Sequence, residues 1–294
     1  MYEAFYHLRE RPFDLTPNPR FLYMTPAHRE ALTAIEYGIS GRKGVTLLVG
    51  PAGTGKTTLV HIALARQNGQ NATAICLKNP TLTREEFYEF LAHAFGLSEA
   101  AGRSKTRLLQ ELEARLVQQH EAGTVTALIV DEAQAMSDAL LEEVRLLANI
   151  ETTTEKLLSI ILIGQPELAD RLNATSMRQL KQRVALRCEL TALDLKETAT
   201  YIGTRLRIAG GDGANIFAVS AIEAIYRASA GIPRIISVIC ENALISGFAL
   251  KRRPIGPDIV DEVCRDLAIG VQAQVITPPA EAPVDEEPQP FSFF

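Results

Sequence analysis

Residues Gly50-Pro51-Ala52-Gly53-Thr54-Gly55-Lys56-Thr57 fit the spacing G-x-x-x-x-G-K-[ST], and no other feature of the chain limits its fold as strongly. The pattern has a physical meaning only between a strand and a helix. There the glycines let successive backbone N–H groups turn inward around phosphate oxygens, and the helix N-terminus adds positive potential. Both flanks are present: Val45–Val49 is a short β-rich apolar run, and a helical segment follows Lys56. Lys56 is then expected to reach the β- and γ-phosphates of a nucleotide, and the Thr57 hydroxyl to bind Mg²⁺. Thr58 is the neighbouring helix residue with a lesser role.

A second signal lies about 75 residues downstream, at the spacing such loops usually show. Leu128-Ile129-Val130-Asp131-Glu132 is an apolar strand that ends in two carboxylates. Acids at the C-terminal end of a buried strand match the site rule for open parallel sheets. Asp131 is expected to hold Mg²⁺, and Glu132 to polarise an attacking water. The next apolar run, Leu157–Ile163, ends in Gly164-Gln165-Pro166, which places the Gln165 amide beside those acids to orient the water.

Around these motifs the chain alternates. Val45–Val49, Thr73–Leu77, Val125–Val130 and Leu157–Ile163 read as strands, separated by amphipathic helices over Ser104–Gln119 and Ser137–Ile150. Thr83-x-x-Glu86 is a capping box, and Thr25-Pro26 an N-cap followed by proline at the first helical position. Nearly continuous apolar strands alternating with helices predict an α/β fold with a parallel sheet covered on both faces. From about Asp194 the strand signal stops. Leu195–Ala209, Ser220–Ala230, Pro233–Leu250 and Pro257–Ala268 read as a small all-helical unit. The expected domains are an N-terminal segment and helix at 1–44, an αβα core at 45–193, a helical lid at 194–270 and a tail at 271–294. That tail holds five of the 15 prolines, four acids and no basic residue, so it is expected to be disordered.

Arg178, Lys181, Arg183 and Arg187 form a basic run before the last strand. An arginine from it, donated to a neighbouring subunit, would stabilise the charge developing on a γ-phosphate. Arg234, in Gly231-Ile232-Pro233-Arg234, starts a lid helix and can fold back over a nucleotide.

Taken together, these residues resemble the AAA+ ATPases, over about Ala4–Ala268. Gly50–Thr57 looks like Walker A, Asp131-Glu132 like Walker B, Gln165 like sensor 1, Arg183 like the arginine finger and Arg234 like sensor 2. The N-terminal stretch MYEAFYHLRERPFDLTPNPRFLYMTPAHREAL and IGQPEL further resemble the general secretion pathway protein A (ExeA-type) ATPases, with transposition-regulator ATPases as more distant kin. The resemblance implies ATP and Mg²⁺ as ligands, and Pro12, Phe13 and His28 as candidate contacts to the adenine. It also implies a homo-oligomer, either a hexameric ring or a filament, acting on a protein partner in an envelope machine such as secretion, a pilus or polysaccharide export. Longer members continue into a membrane span and a peptidoglycan-binding domain, which this sequence does not show.

Composition narrows the alternatives. The net charge is −5, and the tail's four acids leave −1 on the rest, which argues against a strongly basic nucleic-acid binder. DNA therefore stays a second, unfavoured partner, kept in play by the basic run and by Lys251-Arg252-Arg253. Cys76, Cys188, Cys240 and Cys264 lie far apart, so zinc ribbons and thioredoxin chemistry are excluded and reduced thiols are expected. No signal-peptide core and no membrane-length apolar run are visible, so a soluble cytoplasmic protein is expected, reaching the inner membrane only through a partner.

Overall fold

The computed structural model describes residues 1–16, 18–67 and 71–270. The 271–294 tail, with its expected disorder and its Phe291-Ser292-Phe293-Phe294 end, lies outside the described residues. The chain opens with a short turn of helix, α1 (Glu3–Tyr6), and then α2 (Pro26–Ser40), β1 (Val45–Val49), α3 (Lys56–Gln67) and β2 (Ala72–Leu77). Next come α4 (Arg84–Phe95), α5 (Glu99–Arg103), α6 (Lys105–Glu121), β3 (Val125–Val130), α7 (Asp138–Leu147) and β4 (Ser159–Gly164). The core closes with α8 (Pro166–Asn173), α9 (Arg178–Lys181) and β5 (Val184–Glu189). The lid follows as α10 (Leu195–Ile208), α11 (Val219–Ser229), α12 (Pro233–Ala249) and α13 (Pro257–Asp266).

The five strands form one sheet in the order β2-β3-β4-β1-β5, and every pairing is parallel. Side chains of β1 alternate between its two faces, as the pleat requires. Val45, Leu47 and Val49 join a cluster with α4, α6 and α7, while Leu48 joins α2 and α3 on the other side. That is why β1 and β4 read as unbroken apolar runs: all their residues are buried. The order brings the C-terminal ends of β1, β3 and β4 side by side, and all three signature motifs sit at those ends.

Local signals set several helix starts. The Thr83 hydroxyl accepts from the Glu86 N–H at 3.2 Å, and the Glu86 carboxylate accepts from the Thr83 N–H at 2.7 Å. The Thr25 hydroxyl caps α2 by accepting from the His28 N–H at 3.2 Å. Such a cap is worth roughly 1 kcal/mol.

Three departures from the sequence reading have physical causes. The short helices α5, α8 and α9 carry too few turns to show a periodic pattern. β4 begins at Ser159 rather than Leu157, because Leu157 and Leu158 are the buried end of the α7–β4 connection, where the Leu157 N–H donates to the Ile150 carbonyl instead of to the ladder. Arg187 lies inside β5, not ahead of it. β5 is an edge strand whose alternate residues face solvent, so a basic residue fits within it.

The N-terminal segment divides its contacts between the two units. Tyr2, Tyr6, Leu8, Phe13 and Phe21 are buried in the same apolar cluster as the lid helices. Phe5 meets Phe248 edge-on with centroids 5.7 Å apart, and the Tyr2 hydroxyl donates to Glu241 at 2.7 Å. α2 instead packs against the sheet and α3. The chain therefore crosses between lid and core twice, once over residues 14–25 and once at 190–194. At the second crossing the Leu193 N–H donates to the Gly231 carbonyl at 2.9 Å. Gly231 has φ +75°, and a β-carbon there would lie 2.0 Å from the Leu193 carbonyl oxygen, so only glycine fits.

Candidate nucleotide site

A cleft of about 490 Å³ opens where both crossings meet the C-terminal end of the sheet. Its floor is Ala52–Thr58. The lid contributes Tyr201, Arg205, Pro233, Arg234 and Ser237, and the N-terminal segment contributes Asp14–Thr16, Asn18 and Phe21–Tyr23. The volume is in the range of small-molecule sites.

The loop from Gly50 to Gly55 is held in shape from several sides. Gly53 has φ +81°, and a β-carbon on it would come within 2.7 Å of the Arg234 Cβ. This close approach lets the Arg234 N–H reach the Gly53 carbonyl at 3.3 Å, joining the loop directly to the start of α12. From the other side His28 buttresses the loop: its Nε2 lies 3.0 Å from the Thr54 carbonyl oxygen, and its Nδ1 2.7 Å from the Thr25 hydroxyl. A carbonyl can only accept, so Nε2 carries the proton and donates, and the Thr25 O–H donates to Nδ1. Burial pushes the His28 pKa down, which favours this neutral form.

Lys56 is 6% exposed, and its Nζ donates to the carbonyl oxygens of Gly50 and Pro51 at 2.6 and 2.9 Å. Burial lowers its pKa, opposed by the charges of Glu132, Asp131 and Glu167. The Thr57 hydroxyl donates to Asp131 Oδ2 at 2.8 Å. A hydroxyl and a carboxylate oxygen in contact, beside a phosphate-cradling loop, are the hard oxygen donors that Mg²⁺ takes. These residues fit the metal that the nucleotide would bring.

Glu132 sits at the head of a 3₁₀ turn with φ +51°, a left-handed conformation that a non-glycine residue adopts at some cost. Its own N–H donates to Asp131 Oδ1 at 2.9 Å. Two amides converge on one oxygen of its side chain: Gln134 Nε2 at 2.5 Å and Gln165 Nε2 at 3.4 Å, both to Oε2. Gln134 is itself oriented, because its Oε1 accepts from the Gln165 backbone N–H at 3.1 Å. Arg171 pins the same turn by donating from NH1 to the carbonyls of Gln134 and Met136. Glu132 and Thr57 line the cleft, and Asp131, Gln134 and Gln165 are hydrogen-bonded to those two side chains.

Of the expected contacts, Ala52–Thr58, His28, Glu132 and Arg234 line the cleft, and Gly50 and Pro51 support it through Lys56. Pro12 and Phe13 do not line it. Phe13 is fully buried against Phe217 in the lid cluster, and the Pro12 carbonyl accepts from Arg205 NH1 at 2.8 Å. Arg183 is exposed at the N-terminal end of β5. Its neighbour Val184 pairs with Val45, so it lies about five strand residues, ~17 Å, from its own phosphate loop. Sequence reasoning missed Gln134, Tyr201 and Arg205. Gln134 carried a usable hint, as an amide two residues past the acids.

Comparison with known proteins adds to this geometry. Residues 39–172 match the family described as AAA domain. The matched stretch is an AAA domain, and the chain has the fold of the AAA+ ATPases. It is 39% identical over 249 residues to the general secretion pathway protein A of Aeromonas hydrophila, a match that covers 85% of this chain and 45% of that protein. The chain thus spans about half the length of the curated relative it matches. Among solved structures it is similar to the Aeropyrum pernix ORC2 protein in its ADPNP-ADP complexes, at TM-score 0.62 and 17% identity over 87% of this chain and 71% of that one. Drosophila ORC bound to DNA gives 0.62 and 18% over 87% and 64%. A mutant of Thermotoga maritima RuvB gives 0.54 and 19% over 84% and 70%. At these identities the likeness is one of fold: an AAA+ core followed by a helical unit. No helix among the described residues is long and apolar enough to cross a membrane.

Proposed function

We propose that this AAA+ ATPase binds Mg-ATP in the cleft and hydrolyses it as a homo-oligomer, so that nucleotide state switches a protein machine of the cell envelope. The observation that carries the chemical half is the convergence of Thr57, Asp131, Glu132, Gln134 and Gln165 at the mouth of the phosphate loop. The loop N–H groups, the α3 N-terminus and Lys56 hold the triphosphate, while Thr57 and Asp131 hold the metal. Bound Mg²⁺ would neutralise charge on the phosphate oxygens. Glu132 Oε2 is occupied by two amide donors, which leaves Oε1 to accept a proton from the attacking water. Gln165 orients that water, and Gln134 sets the carboxylate. Arg234 reports phosphate occupancy to the lid, since its N–H is bonded to the loop itself.

The envelope setting is supported by the 39% identity to the secretion pathway protein over 249 residues. A duplex-binding regulator is the weaker reading. Arg252 is ion-paired with Asp258, and Arg253 Nε donates to the Asn215 carbonyl, so that cluster is partly spent within the fold. The test is phosphate release from ATP, with and without Mg²⁺, together with anisotropy of a labelled duplex across a salt series. We expect metal-dependent turnover and no ATP-dependent duplex binding beyond a nonspecific Kd of about 10⁻⁴–10⁻⁶ M at physiological salt. Tight, ATP-dependent, salt-sensitive duplex binding would overturn the envelope reading.

The role of Gln134 has its own test. Losing one hydrogen bond to a charged group costs about 1.5–3 kcal/mol, so Gln134→Ala should lower turnover roughly 10–100-fold. ATP affinity should stay near wild type, because Gln134 does not line the cleft. Equal losses in affinity and turnover would show that the substitution disturbs the loop rather than Glu132.

A further inference from the structure

Besides Lys56 and Arg234, a third cation, Arg205, lines the cleft. Arg205 lies on α10, one turn beyond Tyr201. Its guanidinium carbon is 5.0 Å from the Tyr201 ring centroid and 5.5 Å from that of Phe21, while NH1 donates to the Pro12 carbonyl at 2.8 Å. Tyr201 belongs to the lid, and Phe21 and Pro12 to the N-terminal segment, so Arg205 clasps the two together. Its Nε is fully buried and has no hydrogen-bond partner among the described residues. A buried donor left unpaired costs about 1–3 kcal/mol, more when it is charged. The same guanidinium, fixed by three contacts, belongs to a side chain that lines the cleft, where an entering ligand meets it.

We propose that Arg205 is a specificity-determining contact to the nucleoside half of the bound nucleotide, its guanidinium donating to an acceptor on the base or the sugar. The assignment rests on the ATP reading above. The phosphate end is already filled with donors, namely the loop N–H groups, Lys56 and Arg234. Arg205 instead stands against the Tyr201 and Phe21 rings, and the N-terminal segment adds Leu15, Asn18 and Leu22 to the same cleft, the apolar and amide groups a planar nucleoside needs. The clasp also gives the nucleoside a mechanical consequence. A ligand held by Arg205 bonds to the residue that joins Pro12 and Phe21 to α10, so base occupancy tightens the first crossing between core and lid.

The test compares the wild type with Arg205→Met and Arg205→Lys. Kd is measured for ATP, 2′-deoxy-ATP and inorganic tripolyphosphate, and amide hydrogen exchange over residues 14–23 is followed without nucleotide. Arg205→Met should weaken ATP about tenfold or more and leave tripolyphosphate unchanged. Arg205→Lys, which restores a donor but not the fork to Pro12, should recover part of the ATP affinity. Exchange over 14–23 should rise alike in both variants. A loss shared equally by ATP and 2′-deoxy-ATP assigns the acceptor to the base or the rest of the sugar, and a loss confined to ATP assigns it to the 2′-hydroxyl. Unchanged ATP affinity in Arg205→Met, or a Lys variant no better than Met, overturns the proposal and leaves Arg205 as a clasp only. So does a wild type that binds tripolyphosphate as tightly as ATP. A wild type that binds neither ligand instead removes the ATP reading itself.

Discussion

Glu132→Gln should bind ATP with near wild-type affinity and turn it over at least 100-fold more slowly, whereas Lys56→Ala should lose about 100-fold or more in affinity. The two effects separate because the residues meet different species. Glu132 accepts a proton only as the bond to water forms, and general-base contributions of this kind are worth about 10²–10⁴-fold. Gln keeps the volume, and its carbonyl oxygen can still accept from the Gln134 and Gln165 amides, so the turn at Ala133–Ala135 should survive. Lys56 meets phosphate oxygens in the ground state, where charge-assisted hydrogen bonds are worth about 1.5–3 kcal/mol each. Its Nζ also ties the carbonyls of Gly50 and Pro51 together, so its removal loosens the cradle as well as deleting a charge. Fluorescent-nucleotide titration and phosphate release on both variants check this. Wild-type turnover in Glu132→Gln would move the base to another residue. Undiminished affinity in Lys56→Ala would mean that the cleft binds ATP elsewhere.

The parts of this site legible in the sequence are those encoded by near neighbours. The loop glycines, Lys56 and Thr57 are contiguous, and Asp131 and Glu132 follow a strand whose apolarity announces it. The strand bounds Val45–Val49 and Val125–Val130 agree with the apolar runs because those strands are central and almost wholly buried. β5, at the edge, alternates in exposure and hides a basic residue within it. What stayed illegible depends on contacts between distant positions. Arg205 meets Pro12 across 193 residues, and Tyr2 meets Glu241 across 239. No periodicity in either segment specifies such a pair. The family resemblance implies adenine contacts at Pro12, Phe13 and His28, yet Phe13 is buried in the lid core, and Asp14–Thr16, Asn18, Phe21–Tyr23 and His28 line the cleft. Gln134 escaped for a different reason: its role comes from the left-handed turn at Glu132, a backbone state that the residue type does not predict.

The same topology makes a demand on assembly. Arg183 stands at the N-terminal end of β5, and the phosphate loop follows the C-terminal end of the adjacent β1. In a parallel pair these ends are separated by the strand length, ~17 Å, which no arginine side chain spans. If Arg183 stabilises the transferring phosphoryl group, it does so on another copy of the chain. Turnover per chain should then rise with protein concentration, and Arg183→Ala should lower it by about 10³-fold or more, the value of an arginine donated in trans. A mixture gives the sharper readout. Arg183→Ala keeps its own cleft, and Lys56→Ala keeps its arginine, so each supplies the half that the other lacks. At equal amounts in a ring or filament, about a quarter of adjacent pairs present an intact cleft to an intact arginine, so activity should return to a sizeable fraction of wild type though both parents are nearly inactive. Mixing at increasing total concentration, with phosphate release as the signal, measures this directly. Turnover that is independent of concentration, with no rescue on mixing, would make the protein a monomeric switch and return Arg183 to the role of a surface charge beside Lys181 and Arg178.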